Sequence, residues 1–174
     1  MNRLEKTLIA GGVGTSLMTA SSALMSLIPK EEFREPDQLE KLVGRLLPFL
    51  SSNGKTIAGW AAHYGMGMLF AAIYVDLWEA RKIKPDMKTG LVLGGVSGMV
   101  GMLIWKASFW LHPLPPNNRK LDFYLQRIPA HVVFAVFATV AYRLVKRLEQ
   151  RSQLPATGTA HFLATRLKTD ESNE

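Results

Sequence analysis

Apolar residues gather in four long blocks that are almost free of charge, at about 7–28, 57–78, 89–111 and 123–145. Each is close to the roughly 20 residues that a helix needs to cross about 30 Å of hydrocarbon. The pattern predicts an all-α membrane protein, a four-transmembrane-helix bundle. The first loop carries a different pattern. Leu39, Leu42, Val43, Leu46, Leu47 and Leu50 recur at three- and four-residue spacing, with Glu40, Lys41 and Arg45 on the other side. That spacing predicts an amphipathic helix over about 37–50, with Pro36 and Asp37 suited to its first turn and Pro48 ending the pattern. Such a helix is expected to lie on the outer membrane surface; the competing arrangement is a lid packed on the other helices, away from lipid. Residues 1–150 then form one transmembrane domain and 151–174 a polar tail.

Composition changes this picture little. Mean hydropathy over the 174 residues is only +0.07, because charged loops offset the apolar blocks. The net charge is +7, yet the cations flank apolar spans instead of forming one basic face, which favours anionic lipid headgroups over nucleic acid as partner. The absence of cysteine excludes disulfides and thiolate chemistry. Arg81, Lys82, Lys84 and Lys88 crowd the second loop, and Arg143, Lys146, Arg147 and Arg151 follow the last span. Both groups are expected in the cytoplasm, with N and C termini inside. The first block also fits a signal peptide, with Ser21, Ser22 and Ala23 as small residues for cleavage. Its apolar run continues through Leu24, Met25, Leu27 and Ile28, past the ~7–15 residues typical of such a segment, and this favours a retained helix.

The spans are rich in small residues. Gly11, Gly12 and Gly14 lie in the first, Gly59 and Gly67 bracket His63 in the second, and Gly90, Gly94 and Gly98 make a small-xxx-small stripe in the third. Close helix packing is the expected consequence, with a homo-oligomer seam as the competing use.

Ionisable groups inside spans are costly and therefore informative. His63, Lys106 and His131 come from three different spans, yet counting about 1.5 Å per residue puts all of them some 6 to 9 Å from the outer boundary. His112 follows just above. Three readings stay open: histidines that hydrogen-bond between helices while Lys106 reaches the headgroups; a proton-responsive or substrate-binding polar pocket; and bis-histidine ligation of haem or a metal. No carboxylate is expected at that depth, and no metal or other cofactor is assigned. Asp76 and Glu79 are expected to pair with Arg81, Lys82 or Lys84.

No enzyme is indicated. Gly54-Lys55-Thr56 matches the end of a phosphate-binding loop, but Phe49 stands where the earlier glycine is required. The stretch 154–158 matches a sortase signal without the apolar span that should follow. Ser21, Ser22, Ser97 and Ser108 have no base placed beside them by the sequence.

Over about 62–147 the features follow a familiar order. His63-Tyr64 begins an apolar helix, Ile83-Lys84 makes a basic turn, and a glycine-rich span leads to His112-Pro113-Leu114-Pro115-Pro116. Tyr124 then precedes Ala130-His131. This resembles the YagU-like family of small bacterial inner-membrane proteins, a family without an assigned biochemical activity. The resemblance implies a four-helix, multi-pass inner-membrane protein with histidines at matching positions of the second and fourth spans. The expected function is an envelope or acid-stress role through histidine protonation. The alternatives are a small-molecule or ion carrier acting as an oligomer, and a haem- or metal-binding membrane subunit.

Overall fold

The computed structural model describes residues 1–27, 34–115 and 120–153. Ile28 at the end of the first block, Lys30, Glu31 and Glu32 of the first loop, Pro116, the 154–158 motif and the tail from 154 onward lie outside the described residues. Five helices are present among those described: α1 (Arg3–Ser26), α2 (Glu35–Leu46), α3 (Ser52–Glu79), α4 (Met87–Leu111) and α5 (Lys120–Gln153). Contacts divide the chain into two units, Met1–Arg143 and Leu144–Glu174, so the boundary falls within the last helix.

Local chemistry sets the helix starts. Asn2 accepts from the Glu5 backbone N–H at 2.9 Å while the Glu5 carboxylate accepts from the Asn2 N–H at 3.2 Å, a reciprocal cap for α1. Ser51 caps α3 and Asp86 caps α4 by accepting from the backbone N–H of Gly54 and Thr89. Between α3 and α4, Lys82 adopts a left-handed φ of 58° to reverse the chain.

Three helices, α1, α4 and α5, are long and apolar enough to cross a membrane. The chain is therefore an all-α membrane protein. At 28 residues α3 has the length, but Trp60, His63, Tyr64, Tyr74 and its glycines lower its apolar character, and it is not among the three. The distribution of side chains agrees with a lipid setting. Leu17, Leu24, Leu69, Ile73, Val92, Val96 and Leu103 face outward, while Thr15, Thr19, Ser22, His63, Ser97, Gln126, Arg127 and His131 are buried. Water would favour the reverse partition.

The glycines of α4 meet α5 of the same chain. A Cβ added to Gly94 would lie 2.5 Å from the Val132 Cα, and one on Gly98 would lie 2.7 Å from the Ile128 Cα. The stripe whose spacing suggested an oligomer seam is thus occupied within the chain. On α1, Gly11 backs onto Met68 and Gly14 onto Phe134.

The position of α2 corrects the surface-helix expectation. Its first half is inserted among the other helices, with Glu35, Pro36, Gln38 and Leu42 buried, and it crosses Gly59 of α3 so closely that an added Cβ would stand 2.7 Å from the Pro36 carbonyl oxygen. Leu42 joins an aromatic cluster of Trp105, Phe109 and Phe123. Leu46, Leu47 and Phe49, at the far end, remain exposed. The helix is a lid whose trailing edge is apolar.

The opposite end of the bundle is tied by charge. Asp76 pairs with Arg3 at 3.2 Å, and Glu79 pairs with Lys6 at 3.1 Å and Arg3 at 3.5 Å. The partners come from α1 and not from the 81–84 loop, as the sequence had suggested. Tyr142 also donates to Glu79, at 3.3 Å. Burial raises the Glu79 pKa, but the donors from Lys6, Arg3 and Tyr142 outweigh it and hold the carboxyl below its ordinary value of 4.5. A carboxyl depressed on folding stabilises the fold above its unfolded pKa, and that contribution is lost as pH falls through the folded value. Thermal unfolding in detergent should therefore show wild-type stability dropping on the acid side of about pH 4.5, with a flatter acid limb in Glu79→Gln.

Candidate functional site

A partly enclosed cavity of about 80 Å3 lies between the helices. Its wall draws on Met18 of α1, Glu35 and Leu39 of α2, His63 and Phe70 of α3, Gly101, Trp105 and Ser108 of α4, and His131 and Phe134 of α5. At about 30 Å3 per water, the space suits a few solvent molecules.

Each polar group reaches the cavity for a local reason. Gly59 and Gly67, one turn to either side of His63, let α2 and α1 approach α3. The His63 ring then meets Thr19, with Nε2 2.7 Å from the hydroxyl oxygen. That hydroxyl donates its hydrogen to the Thr15 carbonyl at 2.8 Å, so His63 is the donor in the pair and carries its proton on Nε2. His131 sits against Gly101, where an added Cβ would stand 2.5 Å from Nε2. Phe70 meets the ring edge-on with centroids 5.1 Å apart. Among the described residues, the buried His131 Nδ1 atom has no hydrogen-bond partner.

Behind the cavity is an ion pair that the sequence reading missed. Arg127 is 0 % exposed and its guanidinium pairs with Glu35. Its Nε donates to the Phe123 carbonyl at 3.1 Å, it donates to the Gln126 side chain, and its carbon lies 4.1 Å from the Phe123 ring centroid. Gln126 continues the network to Ser22 of α1 at 3.1 Å. The expectation of no carboxylate at this depth is corrected, because the lid helix carries Glu35 in from the loop. Glu35 Oε2 has no hydrogen-bond partner among the described residues. Arg127 was legible in outline, since it stands four residues before His131 and hence on the same helical face.

The other residues singled out by sequence go elsewhere. Lys106 is exposed on the outer side of α4, adjacent to the cavity residue Trp105 but absent from the cavity wall. His112 ends α4 and is buried. Its Nδ1 accepts from the Leu114 N–H at 3.0 Å, which leaves Nε2–H to donate to the Leu42 carbonyl at 3.1 Å. It ties the lid to the α4–α5 connection and takes no part in the cavity. Only His63 and His131 of the four are brought together.

The arrangement can hold water or a proton. It has two imidazoles, one carboxylate whose charge is shared with a guanidinium, and two buried polar atoms that lack partners among the described residues. No group of three or more metal-ligating side chains occurs among the described residues. A cavity engineered to take benzene measures about 150 Å3, so this one is too small for a porphyrin. No protein-family model, curated protein or solved structure matches the chain.

Proposed function

We propose that this chain is a four-span protein of a bacterial inner membrane, with both termini in the cytoplasm, whose lidded cavity is a proton-responsive site. In this reading α3 is the fourth span, made tolerable in lipid by neighbours that take up its polar side chains. The order of features shared with the YagU-like family supports the location and the span number. The observation that carries the functional reading is a pair of atoms without partners among the described residues, His131 Nδ1 and Glu35 Oε2, on residues that line one cavity with room for a few waters. Buried polar atoms are ordinarily satisfied, and where they are not, water or a role in chemistry is the usual account.

A proton reaching His131 meets groups from every side. His63 faces it from α3, Glu35 from α2 and Arg127 from its own helix, with Arg34 at the start of α2 close enough to act on His63. The lining residues of α1 and α4 are not titratable. Protonation would strengthen the hold of the cavity on Glu35 and compete with Arg127 for it, which couples the charge of the site to the seating of the lid. Sensing of envelope acidity fits this geometry better than solute transport, given the small volume. His63→Gln and His131→Gln are expected to insert normally and to shift the acid sensitivity of cells that depend on the protein. Unchanged acid responses in both variants would remove the proposal.

A further inference from the structure

A second concavity lies on the flank of the bundle. It measures about 310 Å3 and runs between α1 and α3, lined by Ser16, Thr19, Ala20, Ala23, Trp60 and Tyr64, with Arg34 at one end. From Ala23 to Ser16 it descends roughly 10 Å along α1, at 1.5 Å per residue. Small side chains form its floor on α1. Its wall on α3 is flat, because Trp60 and Tyr64 stack with planes 25° apart and centroids separated by 6.1 Å. The hydroxyls that line it are already engaged: Ser16 with the Gly12 carbonyl and Tyr64, and Thr19 with Thr15 and His63. What remains is an open apolar groove. The charged end is built differently. The Arg34 guanidinium lies 5.7 Å from the Trp60 ring centroid, and Asp37 approaches its Nε at 3.4 Å. A guanidinium has five N–H donors in a fork suited to phosphate oxygens, so this one pair leaves donors for an anion.

We propose that this groove binds one anionic phospholipid, its acyl chain laid between Ala20, Ala23 and the Trp60–Tyr64 wall and its phosphate on Arg34. The occupant follows from the sequence of surfaces along the groove: cation, aromatic ring, then an apolar slot opening sideways between two helices whose neighbouring residues, Leu17, Leu24 and Ile57, face outward. A soluble anion would use the cation and leave the slot empty; an uncharged hydrocarbon would use the slot and leave the cation. The order matches the headgroup-to-tail order of a lipid at the end of the bundle that carries the lid. The site is separate from the cavity, with the Thr19–His63 hydrogen bond forming the partition between them.

The test is native mass spectrometry of the full chain purified in detergent, with dioleoyl phosphatidylglycerol or dioleoylglycerol added. Wild type should retain one phosphatidylglycerol roughly tenfold more tightly than dioleoylglycerol, which has the same chains and no phosphate, the value of one charge-assisted contact. Arg34→Gln should erase that preference. Ala20→Phe, which fills the slot and spares the cation, should reduce retention of both lipids, and excess inorganic phosphate should leave the lipid in place. Equal retention of the two lipids by wild type, unchanged retention in both variants, or displacement by inorganic phosphate would each overturn the assignment.

Discussion

Replacing Glu35 by alanine is expected to destabilise the protein far more than a change of an exposed charged residue. Arg127 is fully enclosed, and Glu35 is its carboxylate partner. Removing one member of a buried pair takes a direct counter-charge from the other, at a cost of roughly 3–5 kcal/mol. The Phe123 carbonyl and the Gln126 side chain would still accept from the guanidinium, but neither carries a full negative charge. The effect should extend to the lid, because Glu35 stands in the first turn of α2. A double replacement, Glu35→Leu with Arg127→Met, removes both charges and should recover much of the loss, since apolar residues of similar volume often substitute for a buried pair without penalty. Thermal unfolding of the four combinations in one detergent gives the coupling directly. Additive losses would show that the two residues act independently.

The glycines of α4 supply a test of packing in which neighbouring positions should give opposite signs. Gly94→Ala and Gly98→Ala place a methyl group 2.5 and 2.7 Å from backbone atoms of α5. Backbone cannot yield as the tip of a side chain can, so the helices must separate, at roughly 1–3 kcal/mol for each variant. Gly95 is adjacent in sequence, yet its added Cβ meets nothing within 4 Å. Gly95→Ala should therefore be neutral or stabilising by about 0.5–1 kcal/mol, the ordinary preference of a helix for alanine. Stability measured for the three variants in the same lipid or detergent decides the matter. Equal losses at all three positions would mean that α4 does not pack on α5 as described.

Much of the fold was legible because lipid imposes a strong pattern. Blocks of apolar residues marked α1, α4 and α5, with helix ends within a few residues of the structure at the caps. The last helix was read short, ending at 145 where the structure continues to Gln153, because Lys146, Arg147 and Arg151 end the apolar pattern without ending the helix. The lid was visible as an amphipathic helix but misplaced. Periodicity reports which face is apolar; it does not say whether that face meets lipid or protein, and here Gly59 and the Trp105–Phe123 cluster receive it.

The site was half legible, for a related reason. Depth counting brought His63 and His131 together because consecutive spans were expected to alternate in direction. The same count placed Lys106 with them, since depth fixes height along a helix and leaves the azimuth open; Lys106 falls on the outward side. Glu35 escaped because it belongs to a loop helix with no membrane depth of its own, and its burial follows only from the insertion of α2. The glycine stripe of α4 was read correctly as a close-packing surface, while its partner, α5 of the same chain, is a matter of tertiary arrangement.

Proton exchange at His63 and His131 is what the proposed function requires of the cavity, and histidine NMR of the full chain in lipid measures it. With 15N-labelled histidine, resonances assigned by the His63→Gln and His131→Gln variants should titrate, and each should shift the midpoint of the other through the shared cavity. His112, held on both nitrogens by Leu42 and Leu114, lies outside the cavity. If neither cavity histidine titrates while the protein remains folded, the groups are structural hydrogen-bonding residues and the proton-responsive account is contradicted.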